Sequence, residues 1–178
     1  MGATLCGIYT ALYPERVAAF CNLLGPFDFE EAGLLGTMTD PRWFDPRAIT
    51  APGNLTPPQM QSGFVSLRPT AQISKWIRLF ENFDDEKSRQ SFDALEAWAN
   101  DNIPFPAAAY VTYIEDLYQQ NKLIAGTHYV GGRRVDLGDI TCPVLTIATA
   151  QDTICPCGAA QGLNDHCGSE DKEMLVIR

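Results

Sequence analysis

The chain has 178 residues, 46% of them hydrophobic, which is ample for one domain with a core. Its 13 basic and 22 acidic residues leave a net charge of −9, and no Lys/Arg cluster stands out. That balance argues against nucleic acid and anionic membrane surfaces as partners. No apolar run approaches the roughly 18 residues of a membrane span, and the opening residues carry no signal-peptide pattern.

Met1 to Leu12 is small and apolar and predicts a buried helix ending before Pro14. It has no cap and no polar lead-in, so its natural beginning is expected to lie upstream. Pro14-Glu15-Arg16 reads as a turn. Val17 to Leu24 predicts a buried strand closed by Gly25-Pro26, with Asp28 just past its end. Glu30 to Pro58, rich in Gly, Pro and Asp, reads as a long irregular excursion containing Trp43 and Phe44.

Helical patterns follow at Pro57 to Leu67, Ala71 to Phe83 and Asp84 to Asn100. In the second, Ile73, Trp76, Ile77 and Phe80 define an amphipathic face. In the third, acidic residues favour the helix start. After Ile103-Pro104-Phe105-Pro106, residues 107–123 predict another helix. Gly131-Gly132 turns between the short extended pieces 127–130 and 133–135. The aromatic residues Trp76, Trp98, Tyr110 and Tyr113 are expected to pack this helical block.

Val144 to Ala148, preceded by Pro143, is a β-branched apolar run that predicts a buried parallel strand. Reactive groups of open α/β sheets sit at the carboxyl ends of strands, so Asp152 is the first candidate carboxylate. Its structural alternative is a plain loop aspartate. Asp28 is the alternative acid, with a structural hydrogen-bonding role as its simpler reading. Gly158 to about Asn164 predicts a helix, and Met174 to Arg178 a final buried strand. Three buried strands cannot cover their own faces and edges, so the chain is expected to be part of a domain.

Of six cysteines, Cys6, Cys21 and Cys142 lie in apolar stretches, where free cysteine behaves as a small hydrophobe. Such usage fits a reducing cytoplasm rather than a disulfide framework. Cys155-Pro156-Cys157 with His166-Cys167 is spaced too tightly for an ordinary zinc site, and no metal is expected. His128 and His166, the two histidines, read as ordinary polar positions.

Several segments in order resemble the polyhydroxyalkanoate synthases, most nearly the catalytic subunit of the short two-subunit type. They are Tyr13-Pro14-Glu15-Arg16-Val17, Pro26-Phe27-Asp28-Phe29, Glu96-Ala97-Trp98-Ala99-Asn100-Asp101, Leu117-Tyr118-Gln119-Gln120-Asn121, and the stretch from Val130 through Leu145. The resemblance covers nearly the whole chain and implies a partial α/β-hydrolase fold with an inserted, mainly helical lid. It divides the chain into core at 1–29 and 124–178 and lid at 30–123. Met1-Gly2 resembles the end of the family's G-x-C-x-G elbow, which would put the nucleophilic cysteine just before Met1. The family's histidine would fall shortly after Arg178.

By the same resemblance Asp152, in Gln151-Asp152-Thr153-Ile154-Cys155-Pro156, is the acid of a Cys-His-Asp triad. Family members often carry histidine where this chain has Thr153, and two prolines where it has Cys155-Pro156. Met1, following the nucleophile, would donate its backbone N–H to the oxyanion hole. The implied activity is acyl transfer that polymerises (R)-3-hydroxyacyl-coenzyme A. Coenzyme A thioester serves as substrate, and no cofactor is implied. Expected partners are the growing polyester chain, a second copy in a homodimer and a partner subunit, in a cytoplasmic setting or at polymer granules. An esterase or thioesterase and a non-catalytic interaction module are the alternatives.

Overall fold

A computed structural model describes all 178 residues. In chain order the elements are α1 (Gly2–Leu12), β1 (Phe20–Leu23), α2 (Gly33–Met38), α3 (Pro46–Thr50), α4 (Pro57–Leu67), α5 (Ala71–Glu81), α6 (Glu86–Asn100), α7 (Ala107–Thr112), β2 (Tyr129–Val130), β3 (Arg133–Arg134), β4 (Val144–Thr149), α8 (Cys157–His166) and β5 (Lys172–Ile177). The predicted excursion at 30–58 therefore contains the short helices α2 and α3. The chain divides into two compact units, residues 1–46 with 111–178 and residues 47–110.

The first unit is built on a parallel sheet in the order β1-β4-β5. Phe20 lies opposite Val144, and Val144 opposite Lys172. Helix α1 leads into this sheet and stops at Leu12 because Tyr13 precedes a proline, a position that disfavours helical backbone. Its buried side includes Thr4, Gly7, Ile8 and Ala11. A Cβ at Gly7 would lie 2.4 Å from the ring of Phe27, so the glycine lets this aromatic residue reach the helix. The core joins Ile8, Phe20, Phe27, Phe29, Leu117, Val135, Ile140, Val144 and Leu163.

The strands are not buried on both faces as predicted. Phe20 and Asn22 of β1 are buried while Cys21 and Leu23 are exposed, and β4 alternates in the same way. Side chains of a strand point to opposite faces, and only one face of this sheet is packed. On that face Thr146 donates its hydroxyl to Asn164 Oδ1 of α8 at 2.6 Å. Strand β5 is an edge strand that starts at Lys172, and Leu175, Val176 and Ile177 are exposed. The same alternation exposes Cys21, and Cys6 lies on the outer side of α1, so neither is the buried hydrophobe expected. All six cysteines are free thiols.

The predicted helix over 107–123 is α7 followed by one π-helical stretch, Tyr113–Gln119. Gln119 then donates to the carbonyls of Thr39 and Phe44, and Asn121 takes a left-handed φ of 44°.

In the second unit Leu55 and Phe105 exchange backbone hydrogen bonds of 2.9 and 2.8 Å. Gln59 Oε1 accepts from the Thr56 amide at the start of α4. Asp85 caps α6 by accepting from the Lys87 amide. Helices α5 and α6 pack through Lys75, Leu79, Phe92 and Glu96, which are half-buried, with Lys75 bound to both carboxylate oxygens of Glu96. The apolar face predicted for α5 points outward instead: Trp76 is 55% exposed and Phe80 83% exposed. Trp98 of α6 is likewise 77% exposed rather than packed. Lys75 and Glu96 share the inner side with Leu79 and Phe92, their charges satisfied by the ion pair. No helix is long and apolar enough to cross a membrane.

Candidate functional site at the carboxyl end of β4

Strand β4 ends at Thr149, and the chain turns back on itself so that the Asp152 amide donates to the Thr149 carbonyl at 3.3 Å. The side chain of Asp152 closes a second turn. Its Oδ1 accepts from the amides of Ile154 at 2.8 Å and Cys155 at 2.9 Å. An aspartate in a post-strand loop thus organises its own backbone, and its carboxylate is held in one orientation. The second oxygen, Oδ2, makes no hydrogen bond within the protein, and the residue is only half-buried. One carboxylate oxygen thus anchors the loop while the other is available to a partner.

Cys155, three residues on, is 2% exposed. Burial pushes its thiol up to about 12, with the neighbouring Asp152 charge adding to the shift, and the Met1 nitrogen lies near it. Tyr113, at the head of the π-helical stretch, stands edge-on to Phe29 with ring centres 6.1 Å apart. Its phenol is pushed up by burial, then by Tyr118 and by Cys155. Met1, Tyr113, Asp152 and Cys155 therefore share one electrostatic neighbourhood at the carboxyl end of β4. Two of them, Met1 and Asp152, were singled out from the sequence. Tyr113 read as helical packing and Cys155 as half of an implausible zinc pair. The only sequence signal for Cys155 was its spacing of three from Asp152, which puts its amide within reach of that carboxylate.

The remaining candidates lie elsewhere. Asp28 is committed to structure: its Oδ1 accepts from Asn121 Nδ2 at 2.8 Å and from the Glu30 amide at 3.1 Å. Asn121 returns the bond by accepting from the Phe29 amide at 3.0 Å. His128 is buried, with Nδ1 3.2 Å from Asp116 Oδ2 but poorly aligned for a hydrogen bond. His166 is exposed and its Nδ1 meets the Gly162 carbonyl at 2.9 Å. It closes the far end of α8, so at 1.5 Å per residue it is about 15 Å from the helix start beside Cys155. Neither histidine meets Asp152. Cys157 turns its thiol to the Thr149 carbonyl and Cys167 to the Asn164 carbonyl, so the cysteines do not converge with His166. Their arrangement holds no metal-binding cluster.

A parallel sheet, a small-residue helix entering it and an acid past the strand on the other side of α1's partner define a portion of an α/β-hydrolase fold. The likeness extends to BpoC of Mycobacterium tuberculosis, with a TM-score of 0.52 and 14% identity over 98% of this chain and 54% of that one. Rv0554 of the same organism matches with a TM-score of 0.50 and 16% identity over 98% of this chain and 53% of that one.

No family profile matches the chain. In sequence it is similar to the poly(3-hydroxyalkanoate) polymerase subunit PhaC of Haloferax mediterranei, 33% identical over 98% of this chain and 36% of that protein. The corresponding subunit of Allochromatium vinosum is 30% identical over 99% of this chain and 50% of its own length. The resemblance to polyhydroxyalkanoate synthases seen in the sequence segments thus holds along nearly the whole chain. The chain spans between about a third and a half of the length of these curated relatives.

Proposed function

We propose that the protein to which these residues belong is an acyltransferase that polymerises (R)-3-hydroxyacyl groups from coenzyme A thioesters, with Asp152 the acid of a Cys-His-Asp triad. The observation that carries this reading is the placement of Asp152: past the carboxyl end of β4, one oxygen anchored by two amides and the other unengaged, in a chain similar to PhaC along nearly its full length.

The chemistry follows from residue types. A cysteine thiolate, from outside these residues, attacks the thioester carbonyl. The tetrahedral oxyanion collapses, expelling coenzyme A as its thiolate and leaving an acyl-enzyme thioester. The backbone N–H of Met1 is assigned to the oxyanion. The hydroxyl of the growing chain then attacks that thioester, its proton taken by a histidine also outside these residues, and the second tetrahedral intermediate breaks its C–S bond, releasing the cysteine thiolate and leaving a polyester one unit longer. Asp152 Oδ2 accepts the imidazole N–H, fixes the tautomer and stabilises the imidazolium. Cys155 does not compete as nucleophile, because a thiol pushed up to about 12 stays protonated at neutral pH. The exposed stripe of α5 and Trp98 is assigned to contacts with a second copy or a partner subunit.

The test is Asp152→Asn in the complete protein, comparing single-turnover acylation with steady-state polymer formation. Elongation is expected to fall by on the order of 10² or more, by analogy with triad acids elsewhere, and first acylation by less, because cysteine ionises readily. Asp28→Asn is the control. Elongation abolished by Asp28→Asn and untouched by Asp152→Asn would mean the wrong carboxylate has been assigned. Hydrolysis of the thioester without polymer would identify a thioesterase instead.

A further inference from the structure

The second unit holds a cleft of about 900 Å³ between α5 and α6 whose charge runs against that of the whole chain. Arg68, Lys75, Arg78 and Lys87 line it, four of the 13 cationic side chains in a molecule of net charge −9. Lys75 is bound to Glu96 at 2.7 Å, and Asp85, the one carboxylate of the lining, accepts from the Ser88 hydroxyl and the Lys87 amide at the cap of α6 and keeps its negative charge. Arg68, Arg78 and Lys87 also line the cleft and are not drawn into an ion pair like that of Lys75.

Four cations against the single carboxylate of Asp85 leave the lining with a local excess of positive charge in an acidic chain. The cleft also carries the hydroxyls of Thr70 and Ser91, of the kind that can donate to phosphate oxygens, and an apolar wall of Phe92 and Leu95. Its volume falls within the usual range for organic ligands, far above what a single inorganic ion needs. Phe92 is itself braced by Trp76 at a ring separation of 5.1 Å, so the wall is a fixed surface on which a planar base can lie.

We infer that the α5–α6 cleft binds a multiply phosphorylated nucleotide, its phosphates on Arg68, Arg78 and Lys87 and its base against Phe92. The adenosine end of a coenzyme A thioester belongs to this class. That choice of physiological ligand rests on the acyl-transfer reading, whereas the anion site does not.

The experiment is calorimetric titration of the 178-residue chain with coenzyme A, adenosine 3′,5′-bisphosphate, ADP and inorganic pyrophosphate, at low and at physiological ionic strength. Saturable binding of the three nucleotides is expected, weakening with salt as screening requires. The triple variant Arg68→Gln/Arg78→Gln/Lys87→Gln should weaken binding about a thousandfold, since each charge-assisted contact is worth about tenfold. Arg16→Gln, outside the cleft, should leave it unchanged. Glu96→Gln releases Lys75 to the cleft and should tighten binding about two- to fivefold, an outcome that impaired folding cannot imitate. Nucleotide affinity indifferent to the triple variant and to Glu96→Gln, or no saturable binding, overturns the site. Pyrophosphate binding as tightly as ADP overturns the nucleotide assignment. Because the readout is binding, its failure is separate from loss of polymer formation by Asp152→Asn.

Discussion

Glycine-to-alanine substitution inside a helix ordinarily stabilises by up to about 1 kcal/mol, because glycine loses more backbone freedom on folding. Two helical glycines of this chain should respond with opposite signs. At Gly63 of α4 an added Cβ meets nothing within 4 Å, so Gly63→Ala is expected to stabilise by about 0.5–1 kcal/mol. At Gly162 of α8 the Cβ would lie 2.6 Å from Asp28 Cβ and 2.7 Å from the Asp28 amide nitrogen. Those neighbours cannot step aside, because the Phe27 and Asp28 amides both donate to the Ala159 carbonyl of the same helix, at 2.8 and 3.0 Å. Overpacking of this kind costs about 1–3 kcal/mol, and here it must move backbone, so the upper half applies. After the propensity gain, Gly162→Ala is expected to destabilise by about 1–2 kcal/mol. In a chain of this length each kcal/mol moves Tm by about 2–4 °C. Thermal and urea unfolding of the two variants should therefore shift Tm down for Gly162→Ala and up for Gly63→Ala. A rise in Tm for both would refute the close approach of α8 to the Asp28 segment.

Alkylation at pH 8 followed by peptide mass mapping should modify the exposed Cys6 and Cys21 and spare Cys155, whose burial both blocks access and pushes its thiol up to about 12. Rapid labelling of Cys155 at that pH would contradict its burial at the end of β4. Burial also holds His128 below its ordinary value, against the opposing pull of Asp116. The unfolded chain therefore binds a proton there first, so stability is full above about pH 6.5 and is lost as pH falls through the lower native value. Chemical unfolding between pH 7.5 and 5 should show that loss, and His128→Gln should flatten it. An unchanged slope would assign the acid sensitivity to other groups.

What the sequence determines by itself is local. The Pro143-led apolar run, the 3.6-residue spacing of 71–83 and the acidic start of the helix that follows rest on backbone sterics and periodicity, and each became β4, α5 and α6. The placement of Asp152 in a post-strand turn belongs with them, since its hydrogen bonds reach only two and three residues along the chain. The segment-by-segment resemblance also located the fold from sequence, because it compares ordered residues rather than contacts.

Tertiary structure decided everything that depends on which face meets which neighbour. Hydrophobicity alone could not say that β5 would be an exposed edge, or that α5 would turn its tryptophan outward and its lysine toward Glu96. Nor could spacing predict that Tyr113, 39 positions before Asp152 in the numbering, would join Met1 and Cys155 at one strand end. Two helical glycines identical by propensity differ for the same reason. Free space around a Cβ is set by a segment more than a hundred residues away in Asp28, and packing of distant segments is not written in any local pattern.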